Sequence, residues 1–583
     1  MTFKKYNSIN PSINPWSIKL LIIFSLILSS APKAISATID QSATYLKKPK
    51  LILVLVIDQF RADYLTRFEA RFLPAKQQNG DVGGFRYLMS KGAYFPFAEY
   101  DITQSMTGPG HATVLTGAYP YQMGIPVNYW FNQETKELEY CVSDKDNAII
   151  GKSQTGISPK NLIGTTVGDE LKNAGYPSRV VGIAIKDRAA VLMAGHRADV
   201  ALWFDRKTNE WVSSRYYFPD GILPKWVNEL NEEIKNNIGK PLTWPVPSAT
   251  SGLSIADMTP YFSREELTDK SSPPAEIGSS FPHKVTFGSP MSILFPFGFE
   301  ITADAAGRAL DALKLGQTKA TDILAVSFSS HDYMGHAFGP NSLEMEETTI
   351  IADRTISRLL NHVKKRLPNG LSDAVIVFTG DHGSPPSPTW AKANKLPAGL
   401  LDEQVVAKSL TQKLDEKFGK PANSMEWLVI HDFNIYIDRK TLAAKKIPLT
   451  EIESELKQNM LGIDWVAHVI TSTEYNARIL PPGIHGRQVM RTYFPGRSGD
   501  MVIIPKPFFI PNLDGAATHI TGYVYDRTVP LIFSGLNIKA GIYATRAEIV
   551  DVAPTLSFLL GIIPPSCSEG RVLNEALTLV GRK

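Results

Sequence analysis

Five stretches of the chain are almost unbroken in aliphatic and aromatic residues: 51–57, 180–185, 323–328, 374–378 and 529–533. A strand with one wet face alternates apolar and polar side chains, whereas a strand covered on both faces reads as a continuous run. These runs predict buried strands. Between them, residues 303–315 and 344–363 carry apolar positions at helical spacing. Strands of this kind alternating with helices predict an α/β fold, with a largely parallel sheet flanked by helices. Two stretches break the rhythm. Residues 204–297 are rich in Trp, Tyr, Ser and Pro, including Ser271-Ser272-Pro273-Pro274, and residues 384–499 mix charged and apolar segments. Both are expected as insertions capping a single domain that spans 38–583. Within the second, 427–430 and 434–437 read as strands that could extend the core sheet.

Residues 1–37 follow another pattern. Lys4, Lys5 and Lys19 lead into an apolar run over 20–28, and small residues follow around Ala34, Ser36 and Ala37. This order predicts a signal peptide cut near residue 37. The run falls short of the roughly 20 apolar residues that span a bilayer. The long basic start leaves an uncleaved N-terminal anchor as the alternative, and no cysteine stands near the cut for lipid attachment.

Composition changes the picture in two ways. The chain has 583 residues, 43% apolar, with two cysteines, enough for a large core and too few for a disulfide scaffold. Its formal charge of +4 comes from Lys4, Lys5, Lys19 and Lys33, all in the leader, where no acid stands. The remainder is neutral, which excludes the whole-molecule basic footprint of a nucleic-acid binder. Export places Cys141 and Cys567 in an oxidising compartment, where they either pair or stay as separate thiols.

The polar residues that follow the apolar runs carry the chemistry. Asp58 follows 51–57, Lys186 and Arg188 follow 180–185, Asp332 lies just beyond 323–328, and Asp381 and His382 follow 374–378. In an open α/β sheet, ligands bind outside the carboxyl ends of the strands, so these groups are expected to converge. One charged strand end is ordinarily just solvated; several mixed endings in one chain point to a site. Asp332 and His336 are spaced by four, and Asp381 and His382 are adjacent between glycines. Oxygen and nitrogen donors without thiolates suit zinc or a similar first-row ion. Two ions need about six protein ligands, which Asp58 and His519 would complete. His111, His196, His331 and His485 also sit near Gly or Asp and are expected in supporting roles. Residues 103–113 (TQSMTGPGHAT) read as a hydroxyl-rich turn entering a helix, whose N-terminus attracts anions. Such a hydroxyl is an ordinary N-cap unless a base or metal activates it.

These residues resemble a known family. Asp58-Gln59, Thr107-Gly108-Pro109-Gly110-His111-Ala112-Thr113, residues 124–130 (GIPVNYW), Ile185-Lys186-Asp187-Arg188, residues 327–340 (SFSSHDYMGHAFGP), Asp381-His382-Gly383 and Thr518-His519 are similar, in order, to blocks of the alkaline phosphatase superfamily. Within it they resemble the secreted phosphate-irrepressible alkaline phosphatases that use threonine as nucleophile. The resemblance implies an alkaline-phosphatase-like core with two Zn2+. Asp332, His336 and His519 would hold one zinc; Asp58, Asp381 and His382 the other, with Thr107 at that second metal as nucleophile. Asn128, Lys186 and Arg188 would bind the phosphoryl oxygens. The implied activity is hydrolysis of small-molecule phosphate monoesters through a phospho-threonine, in a secreted or periplasmic enzyme whose only membrane segment is its export signal. The alternative on the same scaffold is a phosphodiesterase or nucleotide pyrophosphatase. Lys186 and Arg188 favour the monoesterase, because a monoester carries an extra negative oxygen. Neither cysteine lies in the C/S-x-P-x-R motif of the sulfatases. Met123, His331 and Ile520 depart from the family pattern without removing a ligand, and bear on the geometry around the metals.

Overall fold

The computed structural model describes residues 47–152, 156–245, 276–278, 280–422, 425–511 and 515–578. The leader 1–37 and the Ser271 to Pro274 run lie outside the described residues. Among the described residues nine strands form the central sheet: β1 (Leu51–Ile57), β2 (Gly92–Glu99), β3 (Val180–Ala184), β4 (Val200–Asp205), β5 (Glu210–Val212), β6 (Asp322–Phe328), β7 (Ala374–Gly380), β8 (Thr528–Gly535) and β9 (Gly541–Ile542). Their order is β9-β2-β8-β7-β1-β6-β3-β4-β5. The middle five, β7-β1-β6-β3-β4, run parallel. Every residue of β1, β6 and β7 is buried, which is what their continuous apolar sequences require.

The margins of the sheet correct one expectation. The run 529–533 lies in β8, which is buried like the others but pairs antiparallel with both β7 and β2. Unbroken hydrophobicity reports cover on both faces and is silent on direction. At the far edge β5 is antiparallel to β4.

Five helices matter for the site: α1 (Thr107–Thr116), α2 (Asp187–Ala194), α3 (Pro296–Ala312), α4 (Ser330–Phe338) and α5 (Leu343–Arg366). The predicted helices over 303–315 and 344–363 are α3 and α5. α3 begins earlier than its apolar spacing suggests because Pro296 supplies a preformed first turn.

The segment expected as the first insertion contributes β5, a helix over Lys225–Lys235 and an antiparallel pair of Pro241–Trp244 with His283–Thr286. The second contains the strands Leu428–His431 and Asn434–Ile437, close to where they were expected. They do not extend the core sheet, however. With Val466–Thr471 and Met501–Pro505 they form a separate four-stranded antiparallel sheet. Leu428, Ile435, Ile437, Val469, Met501 and Ile503 of this sheet are buried in one cluster with Trp427 and with Leu414, Ile452 and Leu456 of neighbouring helices. Cys141 and Cys567 are separate free thiols, the first buried.

Leu53 is fully buried at the centre of β1. Leu53→Ala is expected to destabilise the protein by about 2–5 kcal/mol, read from urea denaturation; an unchanged midpoint would contradict the packing described.

Candidate active site

Strand register builds the site. Ile57, the last residue of β1, is level with Phe328 of β6 and Gly380 of β7. Because the three strands are parallel, Asp58, Asp381, His382 and the start of α4 all emerge at one edge. Lys186 follows β3 on the same edge and immediately precedes α2. Asp332 and His336 then share one face of α4, as a spacing of four dictates. His519 comes from a loop preceding the short helix Val524–Arg527.

The three imidazoles are oriented alike. Nδ1 of His336 meets the Ala517 carbonyl at 2.8 Å, Nδ1 of His519 meets that of Ser105 at 2.8 Å, and Nδ1 of His382 meets that of Gly383 at 3.0 Å. Each Nδ1 therefore carries the hydrogen, and each Nε2 points at carboxylates. His336 and His519 both place Nε2 3.2 Å from Asp332 Oδ1. His382 Nε2 lies 3.2 Å from Asp381 Oδ2 and 3.4 Å from Asp58 Oδ1.

Two trios have donor atoms mutually within 4.8 Å: Asp58, Asp381 and His382, and Asp332, His382 and His519. The first is the predicted ligand set. In the second, His382 takes the place expected for His336, which instead approaches Asp332 with a side chain 29% exposed. The His382 and His519 rings stack 3.4 Å apart, which makes His382 common to both.

The donor set fits divalent cations. Asp58 Oδ1, Asp381 Oδ2 and His382 Nε2 are buried without a hydrogen-bond partner, and Asp58 Oδ2 has the Lys186 ammonium beside it at 2.7 Å. Buried polar atoms are rarely left unpaired, and here the unpaired ones face each other. Burial, and then the neighbouring carboxylates of Asp332 and Asp381, push the Asp58 carboxyl above its ordinary range. Burial opposes a charged His382, yet the Asp381 and Asp58 carboxylates raise it to about 10. Burial together with the charge of His382 lowers His519 to about 3. Asp381 stays well below the usual carboxylate range despite its burial, through His382 and His111.

Thr107 is the first residue of α1, buried, at the positive end of the helix. Its Oγ1 accepts from Lys186 Nζ at 3.2 Å and from Arg188 Nη2 at 3.3 Å. Asn128 Oδ1 accepts from the Gly108 backbone at 2.7 Å, so its amide lies over the same turn. Lys186 Nζ also lies 2.7 Å from Asp58 Oδ2 and 2.5 Å from Asp332 Oδ2. Burial opposes its charge, but those two carboxylates hold its pKa above the ordinary lysine range. α1 can approach so closely because Gly110 has no side chain: a Cβ there would sit 2.4 Å from the Asp381 carbonyl oxygen.

All the predicted site residues thus converge. Of the other histidines, His111 joins the site from behind, with Nδ1 2.9 Å from the Thr107 carbonyl and Nε2 2.7 Å from Ser327 Oγ. His331 is buried against the Asp58 carbonyl and Thr349, and burial lowers its pKa to about 3, so it is a neutral packing residue. His196 bonds the Leu162 carbonyl, and His485 packs on His468 and Tyr523. Sequence reasoning gave no role to Gln59, whose Nε2 donates to Asp332 Oδ1 at 3.0 Å and whose backbone N–H donates to Asp381 Oδ1 at 2.9 Å. Its positive φ of 61° makes both reaches possible, and nothing in a lone Gln announces that. Tyr140 and Asp187 were missed likewise.

The family described as type I phosphodiesterase / nucleotide pyrophosphatase matches residues 52–512. The chain belongs to this family, within the alkaline phosphatase superfamily. It is similar to alkaline phosphatase PafA of Elizabethkingia meningoseptica, 32% identical over 555 residues that cover 92% of this chain and 96% of that protein. It is equally similar to alkaline phosphatase PhoV of Synechococcus elongatus, 32% identical over 565 residues, 96% of this chain and 98% of that one. The crystal structure of wild-type PafA matches with a TM-score of 0.80 at 30% identity, covering 91% of this chain and 99% of that chain. The branch of the superfamily is therefore that of PafA and PhoV, and the chain is an enzyme of the alkaline phosphatase class.

The shared position of His382 has a measurable consequence for this phosphatase. His382→Ala is expected to remove most bound divalent metal, whereas His336→Ala weakens metal affinity by about 10–100-fold, as loss of a supporting contact does. Elemental analysis after dialysis checks this; equal losses would put His336 on the same footing as His382.

Proposed function

We propose that this enzyme is an exported, zinc-dependent phosphate monoesterase of broad specificity that works through a phospho-threonine at Thr107. The observation that carries the reading is the Thr107 hydroxyl, buried at a helix N-terminus between two cations and beside two carboxylate–imidazole trios. The oxygen and nitrogen donors suit zinc. Asp58, Asp381 and His382 would hold one ion, and Asp332 and His519 the other, with His336 in support beside Asp332. When bound, two such ions supply positive charge that favours ionisation of a hydroxyl and neutralises a leaving oxygen.

The chain's own groups do the rest. Thr107 Oγ1 gives up its hydroxyl proton to water and bonds to phosphorus as the ester oxygen departs, and the departing oxygen takes a proton from water. A water molecule then attacks the phospho-threonine, the bond to Oγ1 breaks, and inorganic phosphate leaves with the hydroxyl restored. Lys186, Arg188 and Asn128 would donate to the non-bridging oxygens, and the α1 N-terminus favours their charge. Phosphoryl transfer asks mainly for positioning and charge stabilisation, which this arrangement supplies. A solved variant of PafA carries substitutions at a threonine, an asparagine, a lysine and an arginine, in that chain order. Thr107, Asn128, Lys186 and Arg188 follow the same order here.

The family description also names phosphodiesterases and nucleotide pyrophosphatases, so the substrate preference is the point to test. Zinc-loaded protein is expected to turn over an aryl phosphate monoester with a higher kcat/KM than the matching diester, and Thr107→Ala to lose about 10³-fold or more. A diester preference, or hydrolysis indifferent to Thr107, would overturn the reading.

Export rests on the leader over 1–37. No helix among the described residues is long and apolar enough to cross a membrane. N-terminal sequencing of protein recovered from the periplasm or medium is expected to begin near residue 38; a full-length chain held on membranes would show an anchor instead.

A further inference from the structure

Arg188 aims Nη2 at Thr107 Oγ1 although no carboxylate among the described residues lies within salt-bridge distance of its guanidinium. A buried arginine usually meets a carboxylate, commonly through two parallel hydrogen bonds. Here Nη1 donates instead to the hydroxyl oxygen of Tyr140, at 3.2 Å. Tyr140 ends a hairpin of Tyr129–Asn132 and Glu137–Tyr140, and its ring packs on Tyr129 with centroids 4.7 Å apart. Its hydroxyl donates to Asp187 Oδ1, which also accepts the backbone N–H of Arg188 at 2.7 Å.

A phenol has one hydrogen and two lone pairs. Asp187 takes the hydrogen, which turns a lone pair toward the guanidinium. Burial, and then the Asp187 carboxylate, hold the Tyr140 phenol well above its ordinary range, so the hydroxyl stays neutral. We infer that Tyr140 is the positioning residue of Arg188: oriented by Asp187, its hydroxyl aims the guanidinium at the Thr107 oxygen without cancelling its charge. A carboxylate in the same place would fix the geometry equally well but would offset the charge meant for the phosphoryl oxygens. The carboxylate stands one residue further back, and the phenol passes on its orientation. The inference rests on the proposed role of Arg188 in binding the phosphoryl group. It makes Tyr140 a determinant of preference for the more highly charged monoester.

Tyr140→Phe removes the hydroxyl and keeps the ring on Tyr129, so thermal melting is expected to stay near that of the parent. In zinc-loaded protein the variant is expected to lower kcat/KM for an aryl phosphate monoester about 10-fold, the weight of one hydrogen bond to a charged group. It is expected to lower diester turnover less than about 3-fold and to weaken inhibition by inorganic phosphate in parallel with the monoester loss. In an Arg188→Ala background, Tyr140→Phe is expected to cost nothing further. Equal losses on monoester and diester, or a full loss persisting without Arg188, would overturn the inference by showing a general structural role. The two readings fail separately. Monoester hydrolysis untouched by Arg188→Ala sinks the phosphoryl role of Arg188, and Tyr140 with it. A damaged Arg188→Ala beside a parent-like Tyr140→Phe sinks Tyr140 alone.

Discussion

Three carboxylates, Asp58, Asp332 and Asp381, are buried together where β1, β6 and β7 end, and their mutual repulsion is the constraint the rest of the site answers. Charges out of water cost several kcal/mol each unless they are paired. Lys186 is placed between Asp58 and Asp332, and three imidazoles turn Nε2 toward other oxygens of the three carboxylates. Even so, Asp58 Oδ1, Asp381 Oδ2 and His382 Nε2 keep no hydrogen-bond partner. A site built to hold cations has this property: its ligands repel one another until the ions arrive.

The scaffold makes this strain tolerable by rigidity. The carboxylates hang on parallel strands whose residues are wholly buried, so relieving the repulsion by moving apart would open the core. Thr107 is brought to the carboxylates by α1, pressed against the end of β7 through Gly110. Thus one edge of one sheet carries the candidate metal ligands, and short helices starting there carry Thr107, Lys186 and Arg188.

The added segments serve that edge as well. The hairpin over 129–140 supplies Tyr140, and the separate four-stranded sheet brings a tight turn at Asp432 and Phe433, both with positive φ, toward the loop that precedes Thr107. Glu403 accepts the backbone N–H groups of both turn residues, and the Asp432 carbonyl accepts from Gln104, three residues before Thr107. The turn stays in a conformation that non-glycine residues seldom adopt because these contacts overdetermine it. His431, beside the turn, meets the ring of Tyr129 edge-on.

Much of this was legible in the chain itself. Unbroken apolar runs marked the buried strands because cover on both faces leaves no position for a polar residue, and the ionisable residues after four of the five runs marked the binding edge because parallel strands end together. The motif blocks around Thr107, Asp332, Asp381 and His519 pointed to the chemistry, since ligand identity is a local property of residue type. Tertiary structure alone decided the relations between segments. The direction of β8, the separation of the 428–437 strands from the core sheet and the free state of Cys141 and Cys567 depend on which surfaces pack together. So do the sharing of His382 between two trios and the reach of Tyr140 to Arg188, because contacts between residues distant in sequence are set by where strands register and helices dock.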